Sequence, residues 1–433
     1  MSDSVTQTVQ DAWVAPPMNR SLLALLLVAA VVRIGALVLL WPSLSGDPDA
    51  YRRLAENVRD HGVLGEGQIP SAYRPPLYPL LLIPCVMLGD ATPAAIAGLH
   101  LALGLGTVWL VVRLGYLWGL KQYAVVAGFL TACDPISIHQ SAQVMTETLA
   151  TLLAVLGLFL LTRLTTRASW GAAAGAICGA AILCRPTFLP WLACVLAVMA
   201  IRGLPPRQDQ DRRHGPSAAL AAVVLLFAGL VVAPWVARNQ VQFGRPIIAT
   251  THGGYTLLLG NNKHYYRHLK HKGWTTVWDA RELQSDPTFR RRYRPEYDEL
   301  DRDRLDYAAA VRSIRAQPEM FWYSCLVRVS RFWDLLPRQL SAEESPARAT
   351  LRYLVAGWYA GVYILGFAGI WALRRRLLRA PWLWGTLMAL TFTAVHSVYW
   401  GDMRMRAPLA PLVALLAAAG WQRLRGNEFR KPS

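Results

Sequence analysis

Apolar runs recur along this chain at 21–41, 94–112, 122–135, 143–162, 169–184, 187–201, 217–236, 349–373, 382–399 and 407–422. Hydrocarbon offers no partner to backbone N–H and C=O groups, so a run that crosses a bilayer must pair them internally as a helix. The pattern therefore restricts the chain to an all-α polytopic membrane protein of about ten transmembrane helices. Composition agrees. Of 433 residues, 54% are hydrophobic and 17% charged, whereas a soluble domain carries about 25% charged residues.

The net charge of +18 is explained by membrane orientation rather than by nucleic acid, for which no motif is present. Lys and Arg gather on cytoplasmic loops and face anionic lipid. Arg113 and Lys121, Arg163 and Arg167, Arg202 to Arg213, Arg374 to Arg379, and Arg423 to Lys431 all fall on one side if the stretch 76–89 (PLYPLLLIPCVMLG) lies along the membrane surface. If 76–89 spans instead, every later loop flips and the bias is lost. Both termini are then expected in the cytoplasm, with residues 1–20 and 423–433 as tails, and the first apolar run reads as a span rather than a cleaved signal. The spans divide into a core, 21–236, and a C-terminal group, 349–422. Two segments are left outside: a loop at 42–93 and a longer one at 237–348. The six cysteines mostly lie in apolar runs without CxxC spacing, as small buried hydrophobes do.

The first outer loop carries the densest chemistry. It begins SGDPDAYRRLAENV, with Asp47 placed to cap a helix that starts at Pro48. Tyr51, Leu54, Ala55 and Val58 form an apolar stripe at helical spacing. Capping alone would explain Asp47, but two acids, Asp47 and Asp49, stand at a bilayer edge. The loop continues SAYRPPLYP, where Pro75 holds Arg74 extended. A guanidinium fixed at the interface suits a phosphate, although snorkelling to lipid headgroups is an equal use of it. Glu147 enters an apolar run from the same side, eight residues after His139. Such a carboxylate faces the protein interior or a cavity, where it could bond a neighbouring helix or, with His139, hold a divalent ion or an amine.

Two later stretches extend this set. PWVARNQVQFGRPIIATTHGGYTLLLGNN places Arg238 and Asn239 at a span end, with Gly253, Gly254 and Gly260 implying tight turns or close approach to a ligand. Asn261, Asn262, Lys263 and His264 follow as polar donors. HSVYWGDMRMRAPLAPL puts Arg404 and Arg406 in a short outer loop, against the topological preference, where binding an anion would account for them. Within 237–348, Leu300, Tyr307, Val311 and Ile314 mark a surface helix, and MFWYSCLVRVSRFWDLL suits an interfacial one.

These motifs, in this order, resemble the GT-C glycosyltransferases. That superfamily includes the dolichyl-phosphate-mannose–protein mannosyltransferases and the transferases that place aminoarabinose on lipid A. The similarity rests on D-x-x-x-Y, a basic residue before Pro-Pro-L-Y-P, P-W-x-x-R-N…F-G…G-G…L-x-G-N-N and R-x-R-x-P-L-x-P, and it runs over nearly the whole chain. The resemblance implies a polyprenyl-phosphate sugar as donor, an acceptor it does not identify, and a site on the extracytoplasmic side of the plasma membrane. The family's first-loop acid falls on Asp47, its base before Pro-Pro on Arg74, and its later acid most nearly on Glu147. Pro48 stands where many relatives have a second acid, and Asp49 follows it.

The expected mechanism uses Asp47, with Asp49 second, as base for the acceptor. Arg74, Arg404 and Arg406, with Lys263, meet the leaving phosphate. Glu147 holds the acceptor or a metal, and Tyr51, Tyr73, His139, Arg238, Asn261 and Asn262 line the substrate. No cofactor is demanded; a divalent metal ion on Asp47 and Glu147 is the one candidate. Direct displacement would invert the anomeric centre. A transporter or flippase for a lipid-linked anion is the alternative, though transporters place polar sites near the midplane within repeats, and no repeat is visible. A scaffold would leave Asp47, Arg74, Glu147 and Arg404 apart.

Overall fold

A computed structural model of the chain describes residues 20–164, 168–202, 217–274, 276–338 and 344–426. The expected tail before residue 20, the basic loop 203–213 and the end of the chain from 427 lie outside the described residues. The described residues are overwhelmingly helical, with one two-stranded hairpin pairing Gly65–Glu66 with Ile69–Pro70. The helices used below are α1 (Arg20–Leu39), α2 (Tyr51–His61), α3 (Leu77–Val86), α4 (Thr92–Leu117), α5 (Ala124–Ala132), α6 (Pro135–Ser141), α7 (Glu147–Leu164), α8 (Gly171–Cys184), α9 (Phe188–Arg202), α10 (Ser217–Phe243), α11 (Gly253–Gly260), α12 (Lys263–Lys272), α13 (Glu299–Ala316), α14 (Pro318–Phe332), α15 (Pro346–Leu373), α16 (Trp382–Val398) and α17 (Ala410–Leu424).

The chain is an all-α polytopic membrane protein. Among the described residues, five helices are long and apolar enough to cross a bilayer: α1, Gly89–Leu117 containing α4, α7, Ala218–Phe243 within α10, and α15. The other expected spans form shorter helices, α5, α8, α9, α16 and α17, of 9, 14, 15, 17 and 15 residues. A 15-residue helix rises only about 22 Å, less than the ~30 Å of hydrocarbon. The stretch 76–89 forms α3, of 10 residues with Pro84 inside it, and packs on α2.

Helix α7 is the most enclosed of the long helices, with 78% of its apolar window buried against 22% for α15. It is the spine that carries Glu147. Large apolar side chains on α1 (Leu27, Val31, Val38) and α15 (Ile364, Phe367, Trp371) stay exposed, as a lipid-facing surface would be. Helix pairs approach through glycine, as small residues permit in membranes. A Cβ on Gly369 would lie 1.9 Å from the Leu416 carbonyl oxygen, and one on Gly175 would lie 2.4 Å from that of Val224. Those contacts seat α15 on α17 and α8 on α10.

Residues 251–332 build a second core from Leu257, Leu258, Tyr265, Tyr266, Leu269, Trp278, Met320 and Val327. Two local expectations differ from the structure. Helix α2 starts at Tyr51 rather than Pro48, because Ala50 takes a left-handed φ of 60°. Helix α13 forms where expected but buries Asp306, Ala309 and Ala310, leaving Val311 exposed. It is turned by its packing on the Gly-Gly pair: a Cβ on Gly254 would lie 2.1 Å from the Asp303 carbonyl oxygen. Those glycines thus admit a helix rather than a ligand. Helix α14 presents Trp322 and Leu326 outward and draws Arg328 and Arg331 inside.

Candidate active site

Several helix ends converge: the turn before α2, the turn before α3, the start of α7, the end of α8 and the short helical segment Met403–Leu409. Tyr51 marks the meeting point. It is buried, its phenol is held above the ordinary range chiefly by that burial, and its electrostatic neighbours are Arg74, Asp49, Glu147 and Arg185. The Arg404 guanidinium feels Glu147, Asp402, Asp49 and Tyr51. Asp49, Arg74, Glu147 and Arg404, which lie far apart in sequence, are therefore one electrostatic cluster.

Of the two first-loop acids, Asp49 belongs to this cluster and Asp47 serves the start of α2. Asp47 does cap α2 by its side chain: Arg52 N–H donates to Oδ1 at 3.2 Å and Arg53 N–H to Oδ2 at 2.9 Å. Among the described residues it has no ion-pair partner. Asp49 accepts from Arg74 Nη2 at 2.7 Å. The Arg74 guanidinium lies 5.5 Å from the Tyr51 ring centre and 5.3 Å from that of Tyr73, so two aromatic faces fix it as a cation–π pair does. Tyr73 stands edge-on to His252, with ring centres 4.3 Å apart. Burial first, and then Arg74, push the His252 imidazole down to about 3.

Glu147 is only 1% exposed. Arg185 lies 3.5 Å from its Oε1 and Arg404 3.9 Å, both beyond ordinary hydrogen-bond length. Each guanidinium rests partly on a thioether, Arg185 on Met405 at 2.8 Å and Arg404 on Met145 at 3.0 Å, and sulfur is a weak acceptor. Among the described residues Arg185 Nη1, Arg404 Nε and Glu147 Oε2 have no hydrogen-bond partner. Buried donors left unfilled at charged groups are costly unless a ligand completes them. Behind Glu147 is a cavity of about 10 Å³ lined by Arg33, Ser137, Gln140 and Thr148, room for one water. Arg33 sits inside α1 and fits there because residue 104 is glycine: a Cβ would lie 2.8 Å from Arg33 Nε.

The remaining sequence candidates take other positions. His139 lies on α6, with its imidazole held below the usual range by burial and by Arg404. Arg406 turns away from Arg404, under the rings of Tyr359 (4.3 Å) and Tyr363 (5.6 Å), and donates to the Phe332 and Asp334 carbonyls. Arg238 donates to the Ser71 and Leu64 carbonyls at 3.0 and 2.8 Å. Asn261 is fully buried, bonding the Leu257 and Val398 carbonyls through its amide and accepting from Tyr266 and Arg328. Asn262 caps α12. Lys263 pairs with Asp286 at 2.8 Å; Lys263 and His264 together hold that carboxyl well below its usual range.

A divalent metal ion on Asp47 and Glu147 would need its remaining oxygens from water or a substrate phosphate. Among the described residues no three His, Cys, Asp or Glu side chains come together, and the charged groups nearest Glu147 are guanidiniums. The residues present suit an anion.

Sequence reasoning did not single out Arg185, Arg33, His252 or Glu299. Arg185 carried a signal: C-R-P-T repeats the arginine-before-proline device of Arg74-Pro75 between two apolar runs. Arg33 carried one too, as a charge within a span.

The fold is similar to that of solved oligosaccharyltransferase structures, at TM-scores of 0.52 and 0.53. Among solved structures it is similar to the oligosaccharyltransferase AglB of Archaeoglobus fulgidus. The form tethered to an acceptor peptide with an NVT sequon matches at 15% identity, TM-score 0.52, over 94% of this chain and 50% of that one. The complex with an inhibitory peptide and a dolichol-phosphate matches at 17% identity, TM-score 0.52, over 95% and 52%. The form with Zn and sulfate matches at 15% identity, TM-score 0.53, over 93% and 50%. The chain thus spans about half the length of these structures. No family model matches the sequence, and no curated protein does.

Proposed function

We propose that this protein is a glycosyltransferase that moves a sugar from a polyprenyl-phosphate-linked donor to a lipid, glycan or protein acceptor, at the extracytoplasmic face of the plasma membrane. The observation that carries this reading is the set of unfilled guanidinium donors on Arg185 and Arg404, beside Arg74, at the end of a lipid-exposed helix bundle. A lipid phosphate offers the oxygens those donors lack, and its isoprenoid tail suits the apolar surface around them. The likeness in fold supports the same class, as does the dolichol-phosphate named with one structural neighbour.

In this mechanism Asp47 is the base. Its carboxylate is oriented by two backbone N–H groups and retains lone pairs for an acceptor hydroxyl or amine. Asp47 takes the acceptor proton, the acceptor atom bonds the anomeric carbon, and the bond from that carbon to the phosphate oxygen breaks. Polyprenyl phosphate leaves with the electron pair, its charge met by Arg74, Arg185 and Arg404. Phosphate binding draws Arg74 from Asp49, which serves as its resting counter-ion. Single displacement inverts the anomeric centre. Tyr51 and Tyr73 line the donor site. Arg238, Arg406, Asn261, Asn262 and Lys263 hold the fold.

The test is purified protein with a panel of polyprenyl-phosphate sugars, with release of polyprenyl phosphate measured and the product anomer read by NMR. Turnover with at least one donor, lost in Asp47→Asn at normal abundance and fold, is the expected result. No release with any donor would instead favour a transporter of lipid-linked anions. Full activity in Asp47→Asn would move the base elsewhere.

A further inference from the structure

The Arg74-bearing turn is held by a carboxylate from a distant part of the chain. Glu299, the first residue of α13, accepts from the Ser71 hydroxyl at 2.6 Å, from the Ala72 N–H at 2.8 Å and from the Thr251 hydroxyl. The Ser71 oxygen in turn accepts from the Tyr73 N–H at 3.0 Å. One carboxylate thus fixes two consecutive residues directly and a third through one hydroxyl, and the next residue is Arg74. The opposite side of the turn is held as well: Thr251 N–H donates to the Ala72 carbonyl at 3.1 Å, and Arg238 to that of Ser71. The mount is rigid, because α13 is seated against Gly253 and Gly254 without room for a Cβ.

We infer that Glu299 is a positioning residue that sets where the Arg74 guanidinium stands, and so the affinity of the site for a phosphate. Hydrogen bonds to an ionised acceptor are about twice as strong as neutral ones, and a misplacement of about 1 Å in a site can cost as much as 10²-fold. Glu299 reaches three segments, 71–73, 251 and α13, so it couples the second core to the first loop. This inference rests on Arg74 being a phosphate ligand, and the experiment separates the two.

Glu299→Ala, Glu299→Gln, Arg74→Ala and the Glu299→Ala/Arg74→Ala double variant of the full chain are compared in two measurements. One is amide hydrogen exchange across residues 70–76; the other is affinity for undecaprenyl phosphate. Glu299→Ala is expected to speed exchange at Ala72 and Tyr73 and to weaken phosphate binding about tenfold, within the range such misplacement allows. Glu299→Gln, which keeps an acceptor for Ala72 N–H, should recover most of both. In the Arg74→Ala background Glu299→Ala should add little further loss, as expected of coupled neighbours. A full additional loss in the double variant would overturn the inference, as would unchanged exchange in Glu299→Ala. If Arg74→Ala binds undecaprenyl phosphate as well as wild type, the phosphate reading of Arg74 fails and the inference falls with it, while exchange at Ala72 still reports whether Glu299 anchors the turn.

Discussion

Two arginine clusters in this protein differ in how their hydrogen-bonding groups are filled. Around Glu147, the guanidiniums of Arg185 and Arg404 sit at 3.5 and 3.9 Å with buried donors unpartnered. Around Asn261, the Arg328 guanidinium reaches the Ser397 carbonyl at 2.6 Å, the Gly260 carbonyl and the Asn261 side chain. The second cluster joins α11, α14 and the end of α16 and is complete in itself. The first joins the start of α7, the end of α8 and the segment Met403–Leu409, and stays incomplete. A polar group already satisfied by the fold stabilises it; one held short of satisfaction keeps affinity for something else.

The largest effect should come from Glu147→Ala. Removing a carboxylate buried among arginines leaves uncompensated charge, which costs about 3–5 kcal/mol. Thermal unfolding in detergent should fall accordingly, with transferase turnover lost. A variant as stable as wild type would break the claim that the cluster is electrostatically interlocked. Arg74→Ala should do nearly the opposite. Its ion pair is partly exposed, so stability should change by about 1 kcal/mol or less, while loss of the proposed phosphate ligand should lower kcat/KM about 10²–10³-fold. That split between stability and activity is what sets the two clusters apart.

Asn261→Ala sharpens the comparison from the other side. Leaving Arg328 and two carbonyls underfilled should cost about 1–3 kcal/mol, with turnover per folded molecule unchanged. A selective loss of turnover would return Asn261 to the substrate site. A smaller effect is expected from pH. The folded protein keeps His252 neutral down to about 3, whereas the unfolded chain protonates near 6.5. Between those values the unfolded state binds the extra proton, so stability drops as pH falls through that window. His252→Asn should flatten the slope of the unfolding midpoint below pH 6.5. Smallest of all, Lys263→Ala breaks a pair whose lysine is exposed, and should shift stability by about 0–1 kcal/mol without touching turnover.

The helical membrane architecture was legible from apolar run length, since that periodic signal is local. The first loop stood out in the sequence too, because acids and a Pro-locked arginine at a membrane edge are locally odd, and Asp49 and Arg74 do pair in the fold. Less of the site was readable beyond it. Lys263, Asn261, Arg238 and Arg406 looked like ligands in sequence, yet each lies against a fold partner that sequence does not name. Arg185 and Glu299 were inconspicuous because an Arg-Pro turn and an acid at a helix start are ordinary features until a partner arrives from far along the chain.

By itself, then, the sequence determined that this chain is a bundle of apolar helices with acids and arginines collected at their ends. Whether a given arginine binds a carbonyl of the fold or waits for an anion was decided only by the tertiary structure. Hydrogen-bond satisfaction depends on which atoms lie within about 3 Å, and in this protein those atoms come from residues far apart in sequence, such as 74 and 49 or 71 and 299.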